Sequence, residues 1–430
     1  NTVAGAVAGW QQALELSSRW GGRLPLDRLL EDAIRYAAEG MPLTAAQVAD
    51  TLGSLEDLRE QPGFASTFLP EGRAPTTGTR LRQPALAASL QQLVHAGLQD
   101  FYQGDLARLI AEDFDSVGSP LRLEDLTAYQ AGEVEPLSVK VTGGRLFNHP
   151  PPTQGLASLL LLALYDKRTA WQPESFDFFH AMVEATKQAI RLRDSEIADP
   201  EAMDANPADF LTEVSLARMA TEMHSTKAAP WPPKGAGGPG KGDTVWLGVV
   251  DGEGRAVSLI QSVFWEFGSG VVLPQSGLLW QNRGASFTLK EGSRNVVAPG
   301  KKPIHTLNPA MCLFDDGRVM PYGCMGGDAQ PQTQAAVFAR YSLHGMHLQR
   351  AVTAPRWLLG RTWGSERTCL SLETRIDDRV IEELKKAGHE VELVGDFSQM
   401  MGHAGALVRH EDGLIEGATD PRSDGCVAAF

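Results

Sequence analysis

One stretch divides this chain into two halves that obey different folding rules: Ser225 to Asp243, STKAAPWPPKGAGGPGKGD. Proline locks φ and donates no N–H, glycine resists ordering, and few side chains here could bury apolar surface. A loose linker is expected. Ahead of it, apolar residues recur at helical spacing. Leu24 to Glu39 sets Leu29, Leu30, Ile34 and Ala37 on one face and stops at Gly40. Ala85–Leu98, Leu106–Phe114 and Leu123–Tyr129 read as shorter helices, and Phe176–Ile197 as the longest, with Phe179, Met182, Val183, Thr186 and Ile190 on its buried stripe. A hairpin is expected over Val139–Phe147, then an extended Pro150-Pro151-Pro152 and a helix opening near Thr153. Behind the linker the period becomes two. Val245–Val250 and Ala256–Val263 flank Asp251-Gly252-Glu253-Gly254, Met311–Phe314 and Arg318–Tyr322 flank Asp315-Asp316-Gly317, and Ala404–Arg409 and Leu414–Ala418 flank Glu411-Asp412-Gly413. Helices are expected at Gln332–Gly345 and Val380–Ala387. Helices first and hairpins second imply an α+β fold with helices outside stacked antiparallel sheets.

Four hundred and thirty residues can bury a large core. A formal net charge of −14 argues against nucleic acid or an anionic membrane as partner. Cys312, Cys324, Cys369 and Cys426 show no paired spacing and read as reduced, mostly buried thiols, hence a cytoplasmic setting. The longest apolar run, Leu156–Tyr165, is too short for a bilayer. Asn1-Thr2-Val3-Ala4-Gly5 is neither a start codon's product nor a signal peptide, so an N-terminal portion of the natural protein is expected to precede it.

The chemistry centres on Thr244, which heads the first strand after the linker. A threonine hydroxyl attacks an amide only with a base beside it, and an α-amine freed by chain cleavage can be that base. Cutting Asp243–Thr244 would make such an amine, by attack of the Thr244 hydroxyl on the Asp243 carbonyl and hydrolysis of the resulting ester. Gly242 permits the dihedrals this needs, and the linker lets the ends part. This is the layout of an N-terminal nucleophile hydrolase.

Several segments carry a resemblance. Gly242-Asp243-Thr244 with VVDGEGRAVSL, Phe267–Arg283 (FGSGVVLPQSGLLWQNR), Pro303–Pro309 (PIHTLNP), Gly323-Cys324-Met325-Gly326-Gly327 and Gly417–Arg422 (GATDPR) follow one another, preceded by PPPTQG (Pro150–Gly155) and HAMVEATK (His180–Lys187). In that order they resemble the gamma-glutamyltransferase family over nearly the whole chain. The resemblance implies a four-layer αββα sandwich made from two autoprocessed segments. Residues 1–243 would be the large, N-terminally incomplete segment and 244–430 the small one, associating as one co-folded domain, with a dimer of that heterodimer open. It implies Thr244 as nucleophile with its own amine as base. Gly326 and Gly327 would supply the oxyanion N–H groups, and Ser262 would hydrogen-bond the nucleophile where the family has a threonine. No cofactor and no metal are implied.

Departures bear on substrate. The family's Asn, Gln and Asp around a glutamyl α-amine fall on Phe264, Arg283 and Ser286, and its two carboxylate-contacting serines on His305 and Thr306. Its carboxylate-clamping arginine belongs to the portion expected before residue 1. Arg283 is then the candidate anion receptor. Asn282, Phe264, His305 and Thr306 join it as substrate-binding candidates. Loss of the ammonium site favours a short acid amide. QSVFWEFGSG, LWQNRGASF and PGKKPIHTLNP resemble the oxamate amidohydrolase branch, implying conversion of oxamate to oxalate and ammonia in purine-nitrogen catabolism. A true gamma-glutamyl hydrolase or transpeptidase is the alternative. An uncleaved, non-catalytic binding relative is another.

Other motifs carry less. Gly235–Gly240 spells GxGxxG but follows Trp-Pro-Pro-Lys rather than a strand, which argues against a dinucleotide site. His344 and His347 lack a third ligand and read as core or solvated histidines, and Cys324 as a small buried residue.

Overall fold

The structure, a computed structural model, describes residues 1–168, 172–231, 243–360 and 368–430. The linker's Pro232–Gly242, and with it the GxGxxG of Gly235–Gly240, lies outside the described residues. Two compact units emerge: Asn1–Glu133 with Val263–Gly284, and Val134–Ser262 with Ala285–Phe430. The expected segment boundary at 243/244 falls inside the second unit, and each segment contributes to both units.

The first unit is helical: α1 (Ala6–Arg19), α2 (Leu26–Glu39), α3 (Ala45–Leu58), α4 (Pro84–Ala96), α5 (Asp105–Ser116) and α6 (Leu123–Ala128). Helix α2 ends, as its sequence predicts, at Gly40, whose φ of 93° a side chain would resist. Its buried face is narrower than expected: Ala37 is buried but Leu29 is 44% exposed. The core lies instead around Leu106, Ile110 and Phe114 of α5, where Trp280 meets the Phe114 ring edge-on at 4.8 Å. The buried Asp113 carboxylate accepts the N–H groups of Gln275 and Ser276 at 3.0 and 2.9 Å, fixing the 263–284 excursion on α5.

The second unit holds a six-stranded antiparallel sheet. Its strands are β1 (Leu137–Val141), β2 (Gly144–Asn148), β5 (Ala310–Phe314), β6 (Val319–Cys324), β10 (Ala404–Arg409) and β11 (Ile415–Thr419), with β3 (Asp243–Val250) and β4 (Ala256–Phe264) forming a separate ribbon. The sheet order is β11-β10-β6-β5-β2-β1. The three expected hairpins after residue 243 are all present. A third sheet, β9-β8-β7, from β7 (Trp357–Leu359), β8 (Leu370–Glu373) and β9 (Val391–Val394), was not foreseen. Its β8–β9 pair is parallel.

Helices α7 (Gly155–Asp166) and α10 (Gln330–Phe338) pack against one face of the sheet and α8 (Phe176–Glu196) packs on both of them, with α9 (Glu213–Thr221), α11 (Leu348–Thr353) and α12 (Asp378–Lys386) around them. Helix α8 departs from its expected stripe: every residue from Phe178 to Ile190 is buried, because α7, α10 and α12 all pack on it. Helix α10 gives way to a π turn at Ala339–Leu343 instead of running on to Gly345. Among the described residues no helix is long and apolar enough to cross a membrane.

Alternation sets what lies on the sheet's two faces. Tyr322 of β6 turns to the helices and stacks on Phe338 at 5.4 Å. Its neighbour Gly323 turns to the ribbon, as does Gly405, its register partner on β10. Together they leave a slot for Trp246 of β3: a Cβ on Gly323 would come within 2.1 Å of the indole, and one on Gly405 within 2.5 Å. The indole N–H donates to Ser258 of β4 at 2.9 Å. Two residues before Trp246, on the same face of β3, stands Thr244.

Candidate active site

Thr244 is the second residue of β3, and its Oγ1 donates to Ser262 Oγ on β4 at 2.9 Å. Eighteen residues separate them, yet the ribbon brings them side by side. Asp243 begins the strand. Thr244 lines a cleft of about 300 Å3 with Trp246, Met325, His403, Thr419 and the tail residues Ser423 and Gly425 to Ala428. Among the described residues the cleft lining holds no Asp, Glu, Lys or Arg. Burial holds the His403 imidazole below its ordinary pKa, so it is neutral near pH 7.

Met325 leads from β6 into the glycine turn. Gly326 has φ 127° and Gly327 φ 53°, values that side chains resist. The Gly326 carbonyl accepts Ala329 N–H at 2.9 Å, so the Gly327 N–H across the same planar peptide points the opposite way. The turn feeds α10, whose N-terminal dipole favours negative charge. Adjacent Cys324 is fully buried, and burial pushes its thiol up to about 12, which excludes it as a thiolate nucleophile. The thiols overall are less hidden than expected: Cys312 and Cys324 are buried, but Cys369 is half-buried and Cys426 exposed.

His305 and Thr306 run beside the Pro150–Gly155 turn. His305 N–H donates to Pro152 O at 2.7 Å, and its carbonyl accepts Gln154 N–H at 2.9 Å. Phe264, Asn282 and Arg283 belong to the first unit. There the Arg283 guanidinium lies 4.0 Å over the Phe264 ring, a cation–π contact, and Arg283 is 5% exposed. Phe264 has φ 84°, an unusual conformation for an aromatic residue. The Asn282 side-chain oxygen accepts Trp265 N–H at 3.1 Å and so braces that turn.

Two groups escaped the sequence reading. In HAMVEATK, His180 and Glu184 of α8 meet His389 with ligand atoms all within 4.8 Å of one another, close enough for a metal. The Lys187 ammonium already serves Glu184, at 2.7 Å, and the carboxylate accepts Ala229 N–H as well. Lys187 also donates to Ala229 O, and Ala228 N–H to Ala387 O. The linker's first residues are thus tied down, contrary to the looseness expected from Ser225 on. The second group is the buried quartet of Arg356, Glu373, Asp420 and Arg422, which absorbs the GATDPR motif.

Comparisons with known proteins supply the class. Over the whole chain the structure resembles a cephalosporin acylase from Bacillus halodurans, with TM-score 0.89, 32% identity and coverage of 100% of this chain and 78% of that one. The fold is the α+β fold of N-terminal nucleophile hydrolases, as expected. The family model described as gamma-glutamyltranspeptidase matches residues 1–430, and the chain belongs to that family, whose members hydrolyse amide C–N bonds. An oxamate amidohydrolase proenzyme of Klebsiella pneumoniae is 51% identical over 430 residues, spanning 100% of this chain and 81% of its own. A glutathione hydrolase-like proenzyme of Bacillus subtilis is 38% identical over 431 residues, spanning 100% and 80%.

Ser262→Ala removes the hydroxyl that accepts the Thr244 hydrogen bond. One neutral hydrogen bond contributes about 0.5–1.5 kcal/mol, so kcat is expected to fall about 3- to 10-fold with KM nearly unchanged. Steady-state kinetics check this.

Proposed function

We propose that this chain hydrolyses a small linear acid amide, with oxamate as the best substrate, giving oxalate and ammonia. The observation that carries the reading is the Thr244–Ser262 hydrogen bond of 2.9 Å at the head of β3. Maturation comes first. The Thr244 hydroxyl attacks the Asp243 carbonyl, the C–N bond breaks, and water hydrolyses the ester, leaving segments 1–243 and 244–430 associated and Thr244 with a free α-amine.

In turnover that amine takes the hydroxyl proton as Oγ1 bonds to the substrate's amide carbon. The N–H groups of Gly326 and Gly327 hold the tetrahedral oxyanion. Collapse passes the proton to the departing nitrogen, ammonia leaves, and an acyl-threonine ester remains. Water, deprotonated by the same amine, then hydrolyses the ester. Arg283, Phe264, Asn282, His305 and Thr306 are the proposed contacts for the acid end.

The 51%-identical relative, by its name, supports oxamate. The 38%-identical relative's name favours the gamma-glutamyl alternative. A panel of amides assayed for released ammonia separates them. Oxamate is expected to exceed gamma-glutamyl amides in kcat/KM by at least about 100-fold, the range over which unpaired polar groups penalise a misfit substrate. The reverse order would sink the substrate assignment.

A further inference from the structure

We propose that Gln154 is a positioning residue that holds the oxyanion glycine turn at a fixed distance from the segment receiving the substrate's acid end. This rests on the reading of Thr244 and Gly326–Gly327 just given.

Gln154 precedes α7 in the PPPTQG turn and is 0% exposed. Its Nε2 donates twice, to Gly327 O at 2.7 Å and to Thr306 O at 2.8 Å. Its Oε1 accepts from Arg193 Nη1 at 2.9 Å, and the same guanidinium nitrogen donates to Asp328 Oδ1 at 2.9 Å. Its backbone N–H donates to His305 O at 2.9 Å. Both amide protons therefore go to carbonyls on two different candidate segments, and the amide oxygen is tied, through Arg193, to the residue that follows Gly327. Only a carboxamide can do this. A carboxylate would turn lone pairs toward two carbonyl oxygens, and an aliphatic side chain would leave both unsatisfied.

The chemistry gives this tie a purpose. In oxamate the carboxylate carbon is bonded directly to the scissile carbonyl, so one rigid C–C bond fixes the spacing of the two groups, and the oxyanion donors and acid-end contacts must be held in matching register. In a longer acid amide, methylene groups absorb error. Loosening the Gly327–Thr306 tie should therefore cost the two-carbon substrate more than a four-carbon one. Autocleavage uses the same oxyanion donors and should slow as well.

The test uses full-length protein carrying Gln154→Leu or Arg193→Met, with wild type and Thr244→Ala beside them. Gln154→Leu is expected to slow both autocleavage and kcat on oxamate by about 10- to 100-fold, the scale of ångström-level misplacement. KM should change less than about threefold, and the oxamate-to-succinamate ratio of kcat/KM should fall by about 10-fold. Arg193→Met, on a partly exposed side chain, keeps the Gln154 donors and should lose about 3- to 10-fold in kcat. Should Gln154→Leu fail to fold, Arg193→Met carries the same comparison. The inference is overturned if matured variant enzyme, counted by active-site titration, shows wild-type kcat, wild-type cleavage and an unchanged substrate ratio. A Thr244→Ala protein that still cuts and hydrolyses would instead overturn the underlying reading, a separate result.

Discussion

A Thr244→Ala chain should run as one band at 46.4 kDa on a denaturing gel, while the wild type gives two bands whose smaller member begins Thr-Val-Trp. Amide hydrolysis should fall by 10^4-fold or more, the scale on which deleting a covalent nucleophile acts. Two losses coincide in this one residue. On the proposed mechanism, Thr244→Ala removes the attack on Asp243 and with it release of the α-amine, so nucleophile and base vanish together. Thr244→Ser is the informative companion. It keeps the hydroxyl and the bond to Ser262 but lacks the methyl that limits χ1, so cutting and turnover should continue, slowed by about 10-fold. Supplying segments 1–243 and 244–430 as separate chains tests the roles apart: a 244–430 segment with alanine at its first position has the amine and no nucleophile, and should remain inactive. Full activity from an uncut chain, established by intact mass, would defeat the assignment of the base.

Thr244 could be proposed from sequence because its signals are local: a Pro/Gly stretch, a strand start and a hairpin turn within twenty residues. The same locality made the three hairpins after residue 243 and the stop of α2 at Gly40 readable. What failed depends on distant partners. Periodicity gave α8 a stripe, but three helices cover it and bury His180, Glu184 and Lys187 too. Leu29 follows the helical pattern and is exposed because nothing in the sequence says how wide a face the neighbours cover. The parallel β8–β9 pair joins strands separated by α12, and short apolar runs give no hint of such pairing. Gln154 was visible within PPPTQG, but its hydrogen bonds reach residues 152 and 173 positions away. The glycines Gly323 and Gly405 are legible only once Trp246 is seen between them.

The buried quartet leads to the second large effect, at the tail of the chain. Asp420 Oδ2 pairs with Arg356 Nη2 at 2.5 Å and accepts Ala404 N–H at 2.7 Å, while Oδ1 takes the Arg422 N–H and guanidinium, each at 3.0 Å. Glu373 binds Arg422 through Nε and Nη2 at 2.7 and 2.6 Å. Asp420→Asn would leave Arg356 and Arg422 short of a counter-charge in a dry interior, a change expected to cost about 3–5 kcal/mol. Burial alone would raise the Asp420 pKa, but Arg356, the Ala404 N–H and Arg422 more than offset it and hold the carboxyl below its usual value. A folded-state pKa lower than the unfolded one means that the unfolded chain binds the proton more readily. The carboxylate's contribution is therefore complete above the unfolded value of about 3.9 and is lost as pH falls through the folded value. Urea unfolding should show wild type and Asp420→Asn separated by the full difference at pH 7, with the gap closing only below about pH 4. A gap that closes between pH 5 and 7 would point to another titrating group. The effect should also reach the proposed site, because Arg356 donates to Gly402 O at 2.7 Å, and Gly402 lies against the Gly326–Gly327 turn, where a Cβ on Gly326 would meet its Cα at 3.3 Å. Asp420→Asn should then lower kcat in protein that remains folded, since the carbonyl of Gly402 is held by the arginine whose counter-charge has been removed.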